Sequence, residues 1–343
     1  VPTGPDGLPF GSDDDTASIM RLAGNLSGFP ASAGQVGRLY NDTAETFRAM
    51  AASIDAATHH VNALYYQTSW DEYTAPFYEA LERAVARGVT VRLLVDHHGM
   101  RTIPGHKDFR RRLNAMGIEW HEMLPFAPLR GQIRRPDLRN HRKILVIDSK
   151  IGYTGSFNLV DPRYFKQNSG VGEWVDAMMR CTGPMVLELS AVFFADLAVE
   201  TDENLQNVQT YLNQAQSLLP QILPEKMQQG DIVAQIIPSA PEQGNFVIYE
   251  TIISAIYAAT KQITITTPYF VPDEPLLMAL TVAAKRGVKV TLILPAKVDS
   301  LMVRYASHAY YPMLLEAGVK IAMFKGGLLH AKTMTIDEDY SLF

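Results

Sequence analysis

Cysteine is almost missing: Cys181 is alone among 343 residues. One thiol excludes a disulfide within the chain and any multi-cysteine metal cluster. Long apolar runs are missing as well. No uncharged apolar stretch reaches the length of about 18 residues that reads as a membrane span. The nearest, 184–199, is interrupted by Glu188 and Asp196 and predicts a buried core helix. A basic surplus is also lacking. With 31 Lys+Arg against 36 Asp+Glu the net charge is −5, which argues against a dedicated nucleic-acid binder. What is present is globular: 47% hydrophobic and 20% charged residues exclude a wholly disordered or fibrous chain, and the length suits two domains. The sequence starts at Val1 with no Met and no signal-like segment, and it stops at Phe343 inside a motif. It is therefore expected to be a piece of a longer protein, with any membrane anchor outside this piece.

Residues 1–40, rich in Gly, Pro, Ser and Asp, predict a loop-rich arm. Helical spacing of Phe47, Met50, Ala51 and Ile54 follows, then a strand at 62–66. A helix from about Ala75 stops at Gly88, a strand covers 89–96, a short helix 109–116 and a strand 118–123. Strand–helix–strand alternation predicts layered α/β architecture. The pattern then recurs. Arg87-Gly88-Val89-Thr90-Val91 answers to Arg286-Gly287-Val288-Lys289-Val290, 199 positions on, and Gly117 answers to Gly318 at 201. This reads as duplication of a whole domain, with a first domain at 41–225, a second at 226–343 and a junction near 221–231.

A sharper mark is the duplicated His-x-Lys-x4-Asp. His141, Lys143 and Asp148 recur as His330, Lys332 and Asp337, each 189 positions on. Both copies read as strands, where side chains at i and i+2 share a face. His and Lys then point together, and Asp, seven residues from the His, falls on the other face with a structural role. Packed with pseudo-two-fold symmetry, two such domains would bring two His and two Lys to one cleft. After the first copy come Gly155, Ser156 and Asn158: a glycine that permits a turn, and two side chains able to bond an anion. The second copy of that segment would fall just past residue 343.

These motifs resemble the phospholipase D superfamily, and within it the bacterial cardiolipin synthases. The resemblance rests on NHRKILVIDSKIGYTGSFN, on TPYFVPDEPLL at 267–277 and on LLHAKTMTID at 328–337. It implies two α/β/α sandwich domains related by pseudo-two-fold symmetry. It implies phosphatidyl transfer between two phosphatidylglycerol molecules, with release of glycerol, on a bacterial cell membrane. The implied partners are phosphatidylglycerol, cardiolipin and the membrane surface, with no nucleic acid, no metal and no cofactor. A hydrolytic phospholipase D is the nearest rival, and an inactive lipid-binding scaffold is the rival of another class.

The residue types suit phosphodiester chemistry. Two ammonium groups spread the growing negative charge. One imidazole attacks phosphorus and forms a phosphohistidine, while the other protonates the leaving oxygen and then deprotonates the incoming alcohol. Sequence symmetry does not choose between them; the resemblance makes His141 the nucleophile and His330 the acid and base. It also implies an acidic partner for an imidazole, met best by Asp176 and next by Glu173. Ser156 and Asn158 would hold non-bridging oxygens, and Tyr269 with Phe270 would line the lipid site. Arg110, Arg111, Arg112, Arg130, Arg134, Arg135, Arg139 and Arg142 make 109–142 locally basic, a candidate for attracting anionic head groups. The pairs His59-His60 and His97-His98 lack the acidic spacing of a metal site.

Overall fold

The computed structural model describes residues 14–127, 132–133, 139–163, 170–201, 232–239, 246–298 and 300–343. The chain forms two compact units. Among the described residues, one gathers those of 32–161 and 178–236; the other gathers those of 14–31, 162–177 and 237–343.

In the first unit the strands are β1 (Ser32–Tyr40), β2 (His60–Tyr65), β3 (Thr90–Asp96), β4 (Glu119–Met123), the small β5 (Phe126–Ala127) and β6 (Gln132–Ile133), β7 (Ile144–Ile147) and β8 (Ile151–Gly155). With β10 (Met178–Thr182) and β11 (Ile232–Ala234), and without the β5–β6 pair, they form one sheet in the order β11-β1-β10-β8-β7-β2-β3-β4. β2, β3 and β4 run parallel, and β7 closes antiparallel on β2. The helices Thr43–Asp55 and Ala75–Ala86 bury Phe47, Met50, Phe77 and Leu81 on one side of this sheet. The helix Met185–Thr201 is the apolar run that the sequence places in the core, and it buries Leu189, Phe193 and Leu197.

The second unit carries β9 (Trp174–Val175), β12 (Gln262–Thr266), β13 (Lys289–Pro295), β14 (Lys320–Phe324), β15 (Leu328–Leu329), β16 (Thr333–Ile336) and β17 (Tyr340–Leu342). Its main sheet has the order β14-β13-β12-β16-β17. Again three strands run parallel, and the motif-bearing strand, β16, pairs antiparallel with β12. Helices Val247–Ala258 and Glu274–Lys285 supply the layer over a core that includes Ile256, Leu280, Leu292 and Ile336.

Three expectations change. The loop-rich arm holds a helix, Asp14–Ser27, and the strand β1. Asp15 in its first turn suits a helix start, and Ile19 and Ala23 give that helix a buried face. The domain boundary is not a single cut, because 162–177 belongs with the second unit: β9 pairs in parallel with β15. The junction expected near 221–231 lies outside the described residues. Finally, His141-Lys143 and His330-Lys332 precede their strands, which begin at Ile144 and Thr333. The ladders close at Leu64↔Ile144, one residue before the end of β2, and at Thr266↔Thr333, the end of β12. The motifs therefore stand at the carboxyl edge of the parallel strands, where open α/β sheets bind ligands.

Candidate active site

In each unit the motif Asp anchors the turn behind its strand. Asp148 has φ 51° and accepts hydrogen bonds from the backbone N–H groups of Thr58, His59 and His60 and from Thr58 Oγ1, all at 2.8 Å. Asp337 has φ 53° and accepts from the N–H groups of Thr260, Lys261 and Gln262 and from Thr260 Oγ1, at 2.7–2.8 Å. Burial opposes ionisation, but these donors outweigh it. They hold Asp148 below the usual carboxylate range and Asp337 down at about 2. The face-alternation argument fails at both Asp residues, because each lies in the left-handed turn after its strand.

The imidazoles rest on aromatic rings that the sequence reading did not single out. In the first unit His141 stacks on Tyr66, with ring centroids 4.0 Å apart. Lys143 Nζ lies 5.7 Å from the same ring and donates to the carbonyl of His141 at 2.7 Å. Tyr66 directly follows β2, and Gly99 packs against its carbonyl so closely that an added Cβ would sit 2.1 Å from that oxygen. Beside it, Asn158 Oδ1 accepts from the N–H of Gln67 at 3.2 Å, which orients the side-chain amide. Ser156 and Asn158 are both buried. Gly155 ends β8 with a nearly extended φ of 157°, and the chain bends at Ser156.

In the second unit His330 stacks on Trp174, with centroids 4.7 Å apart and planes within 11°. Its Nδ1 lies 2.6 Å from Asp176 Oδ1. Lys332 Nζ donates to the carbonyl of His330 at 2.6 Å. The pairing of β9 with β15 makes this meeting: Leu328 N–H donates to Glu173, and the N–H groups of His330 and Ala331 both donate to Val175. Gly327 lets the strands close, since a Cβ there would lie 2.4 Å from the Glu173 carbonyl. Glu173, the second choice for an acidic partner, contributes its backbone here. Trp174 and Asp176, two apart in sequence, both reach the imidazole, and that spacing was the available signal.

Other candidates fall elsewhere. Phe270 is 5% exposed in the second core, beside a cavity of about 90 Å³; Tyr269 is 45% exposed. The basic segment is largely paired internally: Arg110 with Glu122, Arg111 with Asp108, Arg142 with Asp196, and Arg139 with the Leu124 carbonyl. Arg130, Arg134 and Arg135 lie outside the described residues. His97 pairs with Glu122, and His60 Nε2 lies 3.1 Å from Ser149 Oγ.

Chemically, each half offers an imidazole held flat against a ring with an ammonium two residues away, and in the second half the Asp176 carboxylate meets Nδ1 of that imidazole. The fold and the duplicated motif define a phospholipase D-like protein. Phosphatidylserine synthase from Haemophilus influenzae Rd KW20 shares this fold at TM-score 0.59, with 13% identity over 93% of this chain and 80% of that one. Residues 50–177 and 252–343 match the family described as "Cardiolipin synthase, PLD-like domain", and the chain belongs to that family. It is 38% identical over 336 residues to cardiolipin synthase A of Yersinia pseudotuberculosis serotype O:1b, and 37% identical over 335 residues to cardiolipin synthase A of Erwinia tasmaniensis. Each alignment covers 96% of this chain and 66% of the relative, so the chain spans just under two thirds of those proteins.

Proposed function

We propose that the protein to which this chain belongs is a cardiolipin synthase, which transfers a phosphatidyl group between two phosphatidylglycerol molecules. His141 Nε2 attacks the phosphorus of the donor. The bond from phosphorus to the glycerol oxygen breaks, and His330 protonates that oxygen as it leaves. The terminal hydroxyl of a second phosphatidylglycerol then attacks the phosphohistidine; His330 takes its proton, the P–N bond breaks, and cardiolipin forms. Lys143 and Lys332 stabilise the charge on the phosphoryl oxygens, with Ser156 and Asn158 as further donors. Asp176 holds His330 by Nδ1 and leaves Nε2 to exchange protons with substrate, the logic of a triad. The pairing of His330 with Asp176, together with the family match, supports this reading best. The site of action is the bacterial membrane, and an anchor would lie outside this segment.

The test is the full-length protein with phosphatidylglycerol vesicles as sole substrate, products read by mass spectrometry. Cardiolipin plus glycerol is the expected result. Phosphatidic acid without cardiolipin would make it a hydrolase, and no lipid product would leave a scaffold.

A further inference from the structure

Cardiolipin carries two phosphates one glycerol apart. In the second half-reaction the acceptor's hydroxyl oxygen bonds to phosphorus, the P–N electron pair returns to His141, and the hydroxyl proton passes to His330. The acceptor's own phosphate makes and breaks no bond, yet it must be held near the reacting one. The motif lysines serve the reacting phosphate. A transferase therefore gains from one further cation, whereas a hydrolase, whose acceptor is water, does not.

The first unit has a cavity that meets this need. Its volume is about 240 Å³, and it lies between residues 68–70, which follow β2, and 103–112, which follow β3. That is the carboxyl edge of the sheet, the edge at which the first motif stands. Ser69 N–H donates to the Leu159 carbonyl at 2.8 Å, next to the Gln67–Asn158 bond, and Tyr66 under His141 belongs to the same segment. Thr68, Ser69, Trp70, His106, Asp108 and Arg112 supply the polar and aromatic lining. Asp108 is paired with Arg111, and Arg110 with Glu122. Among the described residues Arg112 makes no ion pair; its guanidinium carbon lies 4.7 Å from the centroid of the Trp70 ring. A guanidinium stacked on an indole keeps its edge N–H groups for a second partner, and phosphate fits that edge in bidentate fashion.

Resting on the transferase reading above, we propose that this cavity is the acceptor-phosphate subsite, in which Arg112, positioned by Trp70, holds the non-reacting phosphate of the second phosphatidylglycerol. The experiment compares wild type, Arg112→Gln and Arg112→Lys in the full-length protein on phosphatidylglycerol vesicles. Loss of a charge-assisted phosphate contact should lower the cardiolipin-to-phosphatidic-acid ratio about tenfold in Arg112→Gln. Total phosphatidylglycerol consumption should stay within about twofold, and Lys should restore part of the ratio. An unchanged ratio overturns the proposal, and so does an equal loss of donor cleavage. If wild type yields no lipid product, the function proposed above falls, and titration with sn-glycerol 1-phosphate decides the subsite. Binding about tenfold weaker in Arg112→Gln keeps the anion site, and equal affinity removes it.

Discussion

The two units anchor their motifs alike and surround them differently. Asp148 and Asp337 each accept from three successive N–H groups and one threonine hydroxyl. Lys143 and Lys332 each bond the carbonyl of their own histidine. A glycine brings a carbonyl close in each: Gly99 against Tyr66, Gly327 against Glu173. The differences begin at the side chains. His141 rests on a phenol and His330 on an indole. Lys143 is 6% exposed, whereas Lys332 is open to solvent. The cavity at the carboxyl edge is the larger in the first unit, about 240 Å³, with Ser69, His106 and Arg112. In the second it is smaller, about 90 Å³, and mixes Phe270, Leu294 and Met323 with Arg304, Ser307 and His308. A duplicated backbone device thus holds two imidazoles in the same way, while unlike surroundings allow them unlike tasks.

The hardest test of that division removes one imidazole at a time. His141→Ala and His330→Ala should each cut turnover by about 10³-fold or more with the fold intact by circular dichroism. A labelled phosphatidyl group trapped on protein in His330→Ala but not in His141→Ala assigns the nucleophile to the first unit; the reverse pattern exchanges the roles. Asp176→Asn comes next. It should lower kcat by about 10²–10⁴-fold with little change in KM, because it loosens an orientation rather than a substrate contact. A normal kcat would mean that His330 needs no carboxylate.

The anchors should register in stability instead. Asp148→Ala and Asp337→Ala each abandon three backbone donors, at a cost of about 2–4 kcal/mol in urea unfolding. Asp148 should cost more, since it is buried and Asp337 is only half-buried. Equal losses would mean that burial adds nothing to this device. Because Asp337 is held down at about 2, its contribution is fully present above the ordinary carboxylate pKa of about 3.8. It should fade as pH falls from there through about 2, and Asp337→Asn should remove that acid dependence.

The sequence made the duplication legible because its marks are rigid: glycines at helix ends and a His-Lys-Asp spacing set by one strand and one turn. It also showed Asp176, through the family's pattern. It did not show the stacking rings. Tyr66 and Trp174 meet their histidines only through the pairing of β7 with β2 and of β15 with β9, contacts between segments 75 and more than 150 residues apart. The arginine run misled for a related reason. Its charges count alike in sequence, yet Arg110 and Arg142 find carboxylates on other elements, Arg111 finds Asp108 on its own helix, and Arg112 finds a ring. The N-terminal arm misled because Gly, Pro and Asp at its ends outweighed a short apolar face around Ile19 and Ala23.

The smallest expected effect separates the two lysines by pH. Desolvation by the surrounding protein pushes the Lys332 ammonium down to about 8, against the pull of the Asp176 carboxylate. The side chain still meets solvent, so water tempers the shift. An ammonium with a pKa near 8 is charged below that pH and loses its charge above it. If Lys332 stabilises phosphoryl oxygens, kcat should fall as pH rises through about 8, with the slope of a single proton. Lys332→Arg keeps its charge throughout that range, because guanidinium does not titrate there. It should have a lower maximum, since its donors are placed differently, but a flat alkaline limb. The measurement is a pH–rate profile of both proteins on phosphatidylglycerol vesicles, from about pH 6 to 10. The same alkaline limb in both would move the titrating group away from Lys332 and leave that lysine as a fixed charge.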